Sequence, residues 1–238
     1  MKSWTRTLNL DDAHSLLALA QPGLAYDDWA KACHRALPEL SMPRRRELIR
    51  IVRDGFLEFK KDDRIAKGLF IRLYAETSAD AQLDLVDAQW AMSHPLTLVA
   101  VEALVAPALK RTDRSVQLQA VEGLVSRTTD TGSAESLRKT RTVLLGAMEG
   151  VGTLTTRGTG QHRSLWASRG TPNPLAFGYL VLRELAERGT DAMMASEVTD
   201  SSLPVRLTQC GRAHAEHCLA WSLRKGILAE HGDEIGVP

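Results

Sequence analysis

The sequence predicts a mainly α fold. A helical bundle with helix-turn-helix character is joined to a winged-helix-like module carrying a small β-hairpin. Three observations predict it. Leu and Ala dominate the hydrophobic residues, and aromatic residues are only 5% of the 238-residue chain, a balance that favours helices over strands. Apolar residues recur at helical spacing through most of the chain. One stretch, residues 151–167, instead shows two short Thr-, Leu- and Trp-containing runs joined by Arg157-Gly-Thr-Gly-Gln-His162, a hairpin pattern.

The elements follow in order. Residues 11–20 predict a first helix, with Asp11 and Asp12 at its positive end and Gln21-Pro22-Gly23 breaking it. Tyr26–Leu37 predicts a second helix, closed by Pro38. Ser41 suits the cap of a third, with Pro43 in its first turn. Residues 64–75 and the repeat of Leu83, Val86 and Trp90 predict further helices. The nearly all-apolar 96–109 is too short to cross a bilayer and reads as a buried central helix. A helix at about 114–126 and a turn come next. Ser133 then caps an amphipathic helix over 134–149, with Leu137, Thr140, Leu144 and Met148 inward and Glu135, Arg138, Lys139 and Thr142 outward. After the hairpin, Pro174 opens another helix. Residues 190–205 read as polar and turn-rich, 206–225 as a last helix, and the tail after Gly226 as loose. No repeat of fixed period is visible. These elements predict two domains, 1–109 and 110–238.

Charge is balanced in total and uneven in place. Lys plus Arg number 30 and Asp plus Glu 29. Residues 41–72 carry ten basic and five acidic residues, an excess of five positive charges. Residues 76–105 carry five acids and no Lys or Arg. A strongly basic or acidic chain is excluded, but local patches are not. No apolar run spans a membrane, and the N-terminus lacks an apolar leader core. The three cysteines are too few for a disulfide framework, and a reducing, cytoplasmic setting is expected.

Helix, turn, amphipathic helix and basic-tipped hairpin occur in the order of a winged helix-turn-helix, whose second helix enters the DNA major groove. Residues 133–170 carry six basic residues against Glu135 and Glu149. Arg138, Lys139, Arg141, Arg157, His162 and Arg163 are therefore candidate contacts to double-stranded DNA. The alternative is a small subdomain used only for protein contacts. A second candidate is the helix opening with Arg44-Arg45-Arg46, whose alternative is a solvated bundle face. A footprint shared by both is expected, with the winged module contributing more, because Glu47 and Asp54 stand beside the arginines.

Cys210, His214, His217 and Cys218 are zinc-ligand types, but all lie on one helix. With Trp221 they make a complete stripe, so they read as packing and no metal is expected. No Gly-Lys-Ser/Thr follows the glycines at 150–160, and no Gly-x-Ser-x-Gly or His-Glu-x-x-His is present. A non-enzymatic protein without a cofactor is expected.

Three stretches carry a family resemblance: SMPRRRELIRIVRDGF, the helical middle from GLFIRLYAET to LVDAQWAMSHPLTLVAVEALV, and SAESLRKTRTVLLGAMEGVGTL with the hairpin after it. Over about residues 10–190 the chain resembles the BrxA family of BREX phage-defence systems. The resemblance implies a cytoplasmic, non-enzymatic, DNA-binding protein with helix-turn-helix character, acting beside a methyltransferase and other large defence proteins. Residues 190–238 carry no resemblance. Two other expectations compete: a protein–protein adaptor using the same winged fold and the acidic 76–105 stretch, and an RNA-binding helical protein with Arg44-Arg45-Arg46 on the RNA backbone.

Overall fold

The computed structural model describes residues 8–129, 133–158 and 164–238. The protein is mainly helical, with two small antiparallel sheets of three strands each. Contacts divide it into two units, Thr7–Ser93 and His94–Pro238. The boundary thus falls at residue 93 and not at 109. The reason is packing. Leu96, Ala100, Val101, Val105 and Ala108 are buried in one core with Val121, Leu144, Met148, Leu154 and Leu165.

In the first unit, α1 (Leu10–Leu17) starts at Asn9, whose side chain accepts from the Asp11 N–H at 3.1 Å. A turn leads to α2 (Tyr26–Ala36) and then α3 (Met42–Phe56). Ser41 and Pro43 stand where the sequence put them, although the Ser41 side chain makes no capping bond. The chain then doubles back. Lys60 N–H donates to Arg64 O at 2.8 Å and Ala66 N–H to Glu58 O at 2.8 Å. The returning arm meets the segment before α2, Ile65 N–H to Leu24 O and Tyr26 N–H to Asp63 O, both 2.9 Å. Residues 64–67 are therefore extended. The helix expected over 64–75 begins only at α4 (Leu69–Ala75), and α5 (Ala79–Met92) follows. Trp29 is fully buried and donates its indole N–H to Leu16 O at 3.1 Å.

Asp87 lies mostly buried on α5, and its carboxyl is pushed up to about 7, by burial first and by the Asp84 charge second. The folded pKa lies above the unfolded value of 3.8, so the folded state holds this proton more tightly. Its contribution to stability is full below about pH 4 and lost as pH rises through about 7. Asp87→Asn is expected to melt progressively higher than wild type between pH 4.5 and pH 8, pH values spanning about that window. A gap that stays constant between those pH values contradicts this account.

The second unit holds two copies of one topology. The first runs from α6 (Leu96–Ala100), a π turn (Val101–Val105) and α7 (Ala106–Leu109) to β1 (Ser115–Val116). Then come α8 (Leu118–Thr128), α9 (Ala134–Gly150) and a hairpin of β2 (Leu154–Arg157) and β3 (Ser164–Ala167). The sheet order is β1-β3-β2, so the returning arm of the hairpin lies in the middle. Helix, strand, helix, helix, hairpin with that strand order is the order of a winged helix.

The second copy repeats it. It comprises α10 (Pro174–Arg188), β4 (Ala192–Met194), α11 (Ala195–Asp200), α12 (Leu203–Thr208), α13 (Arg212–Arg224) and a hairpin of β5 (Ala229–His231) and β6 (Glu234–Gly236). Its sheet order is β4-β6-β5. The expectation for 190–225 is corrected here: 190–205 is mostly structured, and the last helix is two, broken at Gln209, whose φ is +52°. Nor is the tail loose, because Ile235 on β6 is 1% exposed. In the first unit, α1, α2, α3 and the 57–66 doubling follow the same order, with backbone pairing in place of full strands.

Candidate nucleic-acid interface

The winged helix over 94–168 is positioned from its core outward. On α9, Thr140, Val143, Leu144, Ala147 and Met148 are buried, and Leu137 packs against the same core. Ser133 caps the helix, accepting from Ser136 N–H at 3.2 Å. The outward face is then fixed by the helical period, and Glu135, Arg138, Lys139, Thr142 and Gly146 are exposed. In a winged helix this is the face offered to the major groove.

The candidate side chains on this module differ in freedom. Arg138 is exposed and makes no ion pair among the described residues. Lys139 pairs along its own helix with Glu135 at 2.7 Å, both side chains more than half exposed. An exposed i,i+4 pair is weak, being screened by water and salt, so a phosphate can replace that carboxylate. Arg141 is different. Its guanidinium is half-buried against Glu122 on α8, and this pair ties the two helices together. Arg141 therefore ties α9 to α8 through Glu122 and is less free than Arg138 to turn to a ligand. Arg157 ends β2, with its guanidinium 5.8 Å from the centre of the Trp166 ring. Gly158 follows at φ +78°, a left-handed turn residue that opens the wing. His162 and Arg163 lie outside the described residues.

The arginine cluster of the first unit is also partly engaged. Arg44 pairs with Glu47 at 3.0 Å. Arg45 donates to the carbonyl of His34 at 2.7 Å, closing the C-terminal turn of α2 across the helix-turn-helix. Arg46 alone of the three is exposed and makes no ion pair among the described residues. It shares its face with Arg50, one turn on, which is equally exposed. Lys60 and Lys61 stand exposed at the turn of the 57–66 doubling. Arg50, Lys60 and Lys61 are candidates that the sequence reading left out. The signal for the two lysines was KKDDR between Phe59 and Ile65, a polar turn between two strand-forming residues, and for Arg50 its place one turn after Arg46.

The third module, over 174–236, carries another charge pattern. Arg212 opens its α13 but is held by Asp200 at 3.3 Å and Glu216 at 2.9 Å. Its wing exposes Glu230, Asp233 and Glu234. His214 and Cys218 both reach the carbonyl of Pro172, at 3.0 and 3.5 Å. Burial pushes the Cys218 thiol up to about 12 and raises Cys210 as well. His214 and Cys218 thus pin α13 to the 171–174 segment.

The acids of 76–105 are divided between the two units. Glu76, Asp80 and Asp84 are exposed in the first unit, while Glu102 lies in the second, 4.0 Å from Arg206. No described helix is long and apolar enough to cross a membrane. In comparisons with known proteins, no family model, curated protein or solved structure matches this chain.

Proposed function

We propose that this protein binds double-stranded DNA, without enzymatic activity, as an accessory of a bacterial phage-defence system of the BREX type. One observation carries the DNA reading. The outward face of α9 offers Arg138, without an ion pair among the described residues, and Lys139 with only a weak one, in a winged helix whose wing begins at Arg157. Arg46, Arg50, Lys60 and Lys61 give the first unit a comparable basic face and tip. The resemblance to the BrxA family supports the defence setting, a cytoplasmic location and large defence proteins as partners.

Affinity rests on phosphate contacts. The α9 face carries no Asn or Gln to read adenine, so sequence preference is weak. Each neutralised phosphate releases counterion, and log affinity falls with log salt at a slope of about −0.9 per contact. Titration of a blunt duplex at low and at physiological salt is expected to show a steep loss. An affinity that barely moves with salt overturns the electrostatic reading, and binding only to structured RNA transfers the function to RNA.

A second reading applies to the third module. Its acidic wing and engaged Arg212 disfavour a phosphate backbone and suit a basic protein surface, so this module serves as the adaptor that holds a partner.

A further inference from the structure

We propose that the solvent face of the β1-β3-β2 sheet is a stacking platform for an unpaired DNA base, centred on Trp166. The register puts Trp166 on the middle strand, opposite Ser115 on one side and Thr155 on the other. Leu165 and Ala167 point into the core, so alternation along β3 turns Ser164 and Trp166 outward. Trp166 is 40% exposed, whereas Trp29 and Trp90 are buried. Its cross-strand neighbours are small hydroxyl residues, and the Arg157 guanidinium lies over the ring 5.8 Å from its centre, so a base would stack on the opposite face or displace that guanidinium.

Charge at the platform fits a polyanion. Arg157 lies diagonally across β2 from Trp166. At the other edge Arg111 donates to Ser115 O, and Arg114 is exposed just before β1. Asp113 is the carboxylate among them, held by Ser115 and Arg111. Three guanidiniums to one carboxylate, around an indole and several hydroxyls, match phosphate, base and sugar. A base in a duplex has its faces covered by its neighbours, so the ring takes an unpaired one. The occupant is a single-stranded DNA segment. The assignment rests on the duplex-binding reading in one respect: the single strand is the continuation of a duplex held by α9.

Three probes separate the two readings: oligothymidine, a blunt duplex, and the same duplex with a single-stranded overhang. Base–aromatic stacking is worth about 1–3 kcal/mol per base, so Trp166→Ala is expected to weaken oligothymidine and overhang binding by about tenfold or more. Blunt-duplex affinity stays as in wild type, which shows that Trp166→Ala is folded even though its melting temperature falls with the packing lost, and Trp166→Phe keeps most of the single-strand affinity. Oligothymidine quenches the tryptophan fluorescence of wild type, and that quench is lost in Trp166→Phe. Wild type that ignores oligothymidine, or Trp166→Ala that binds both single-stranded probes unchanged, overturns the platform. Tighter binding of the matching RNA overturns its assignment to DNA. Trp166-dependent oligothymidine binding without any duplex binding leaves the platform standing and removes the duplex reading.

Discussion

Replacing Glu184 with Ala is expected to lower the melting temperature by roughly 6–12 °C, taking about 3 kcal/mol lost from a chain of this size. Glu184 sits on α10 with its side chain 5% exposed. One carboxylate oxygen meets Arg188 at 2.7 Å and Arg206 at 3.2 Å. The other accepts the backbone N–H of Leu203, the first residue of α12. One carboxylate thus joins two helices and satisfies a buried helix-start donor. Breaking a buried pair costs about 3–5 kcal/mol because the partners are left unmatched. Both arginines are about 40% exposed and regain water, which puts the loss at the lower end of that range. Glu184→Gln keeps an acceptor for Leu203, so it is expected to lose about half as much, near the lower end of the ~1.5–3 kcal/mol of charge-assisted bonds. Thermal denaturation of both variants checks this. Equal losses would show that the ion pairs alone matter, and no loss in either would show that the junction is held by packing.

What the sequence reveals depends on element length. α9 was legible because four turns carry an unbroken apolar stripe, and Ser133 and Gly150 mark its ends. The strands β1, β4, β5 and β6 have two or three residues each, too few for a period of two to show. The recurring winged-helix order was invisible for a related reason. It is a repeat of connections and strand order, with a single α8 in one copy and two short helices, α11 and α12, in the other. The candidate site was half legible. Residue type marks Arg44 and Arg45 as basic, but their direction follows from Glu47 and from His34 across a turn. Arg141 likewise shares a helix with Arg138 but is rotated onto Glu122. Trp166 was visible in the hairpin. Its outward side became meaningful only once Leu165 and Ala167 were found inside.

The DNA reading is tested most sharply by changing Arg138 and Lys139 together to Ala. Each phosphate contact contributes about one unit to the salt slope, so the pair should lower its magnitude by roughly two. Affinity for a blunt duplex should fall about tenfold or more at low salt and less at high salt, since the missing contacts are those that salt screens. Stability should stay close to that of wild type, because both side chains are exposed and the one ion pair lost among the described residues is the exposed pair with Glu135. Arg141→Ala is the contrast. It removes the pair with Glu122 that ties α9 to α8, so it should lower the melting temperature while barely changing the salt slope. The other contrast is Arg46→Ala with Arg50→Ala in the first unit, where the face is also basic and exposed. If that pair abolishes binding and the α9 pair leaves it intact, α3 is the reader and the 94–168 module holds a protein partner instead. If both pairs lower the slope by about two, each module contacts phosphate in its own right, and the losses in log affinity should add, as they do for sites without shared partners.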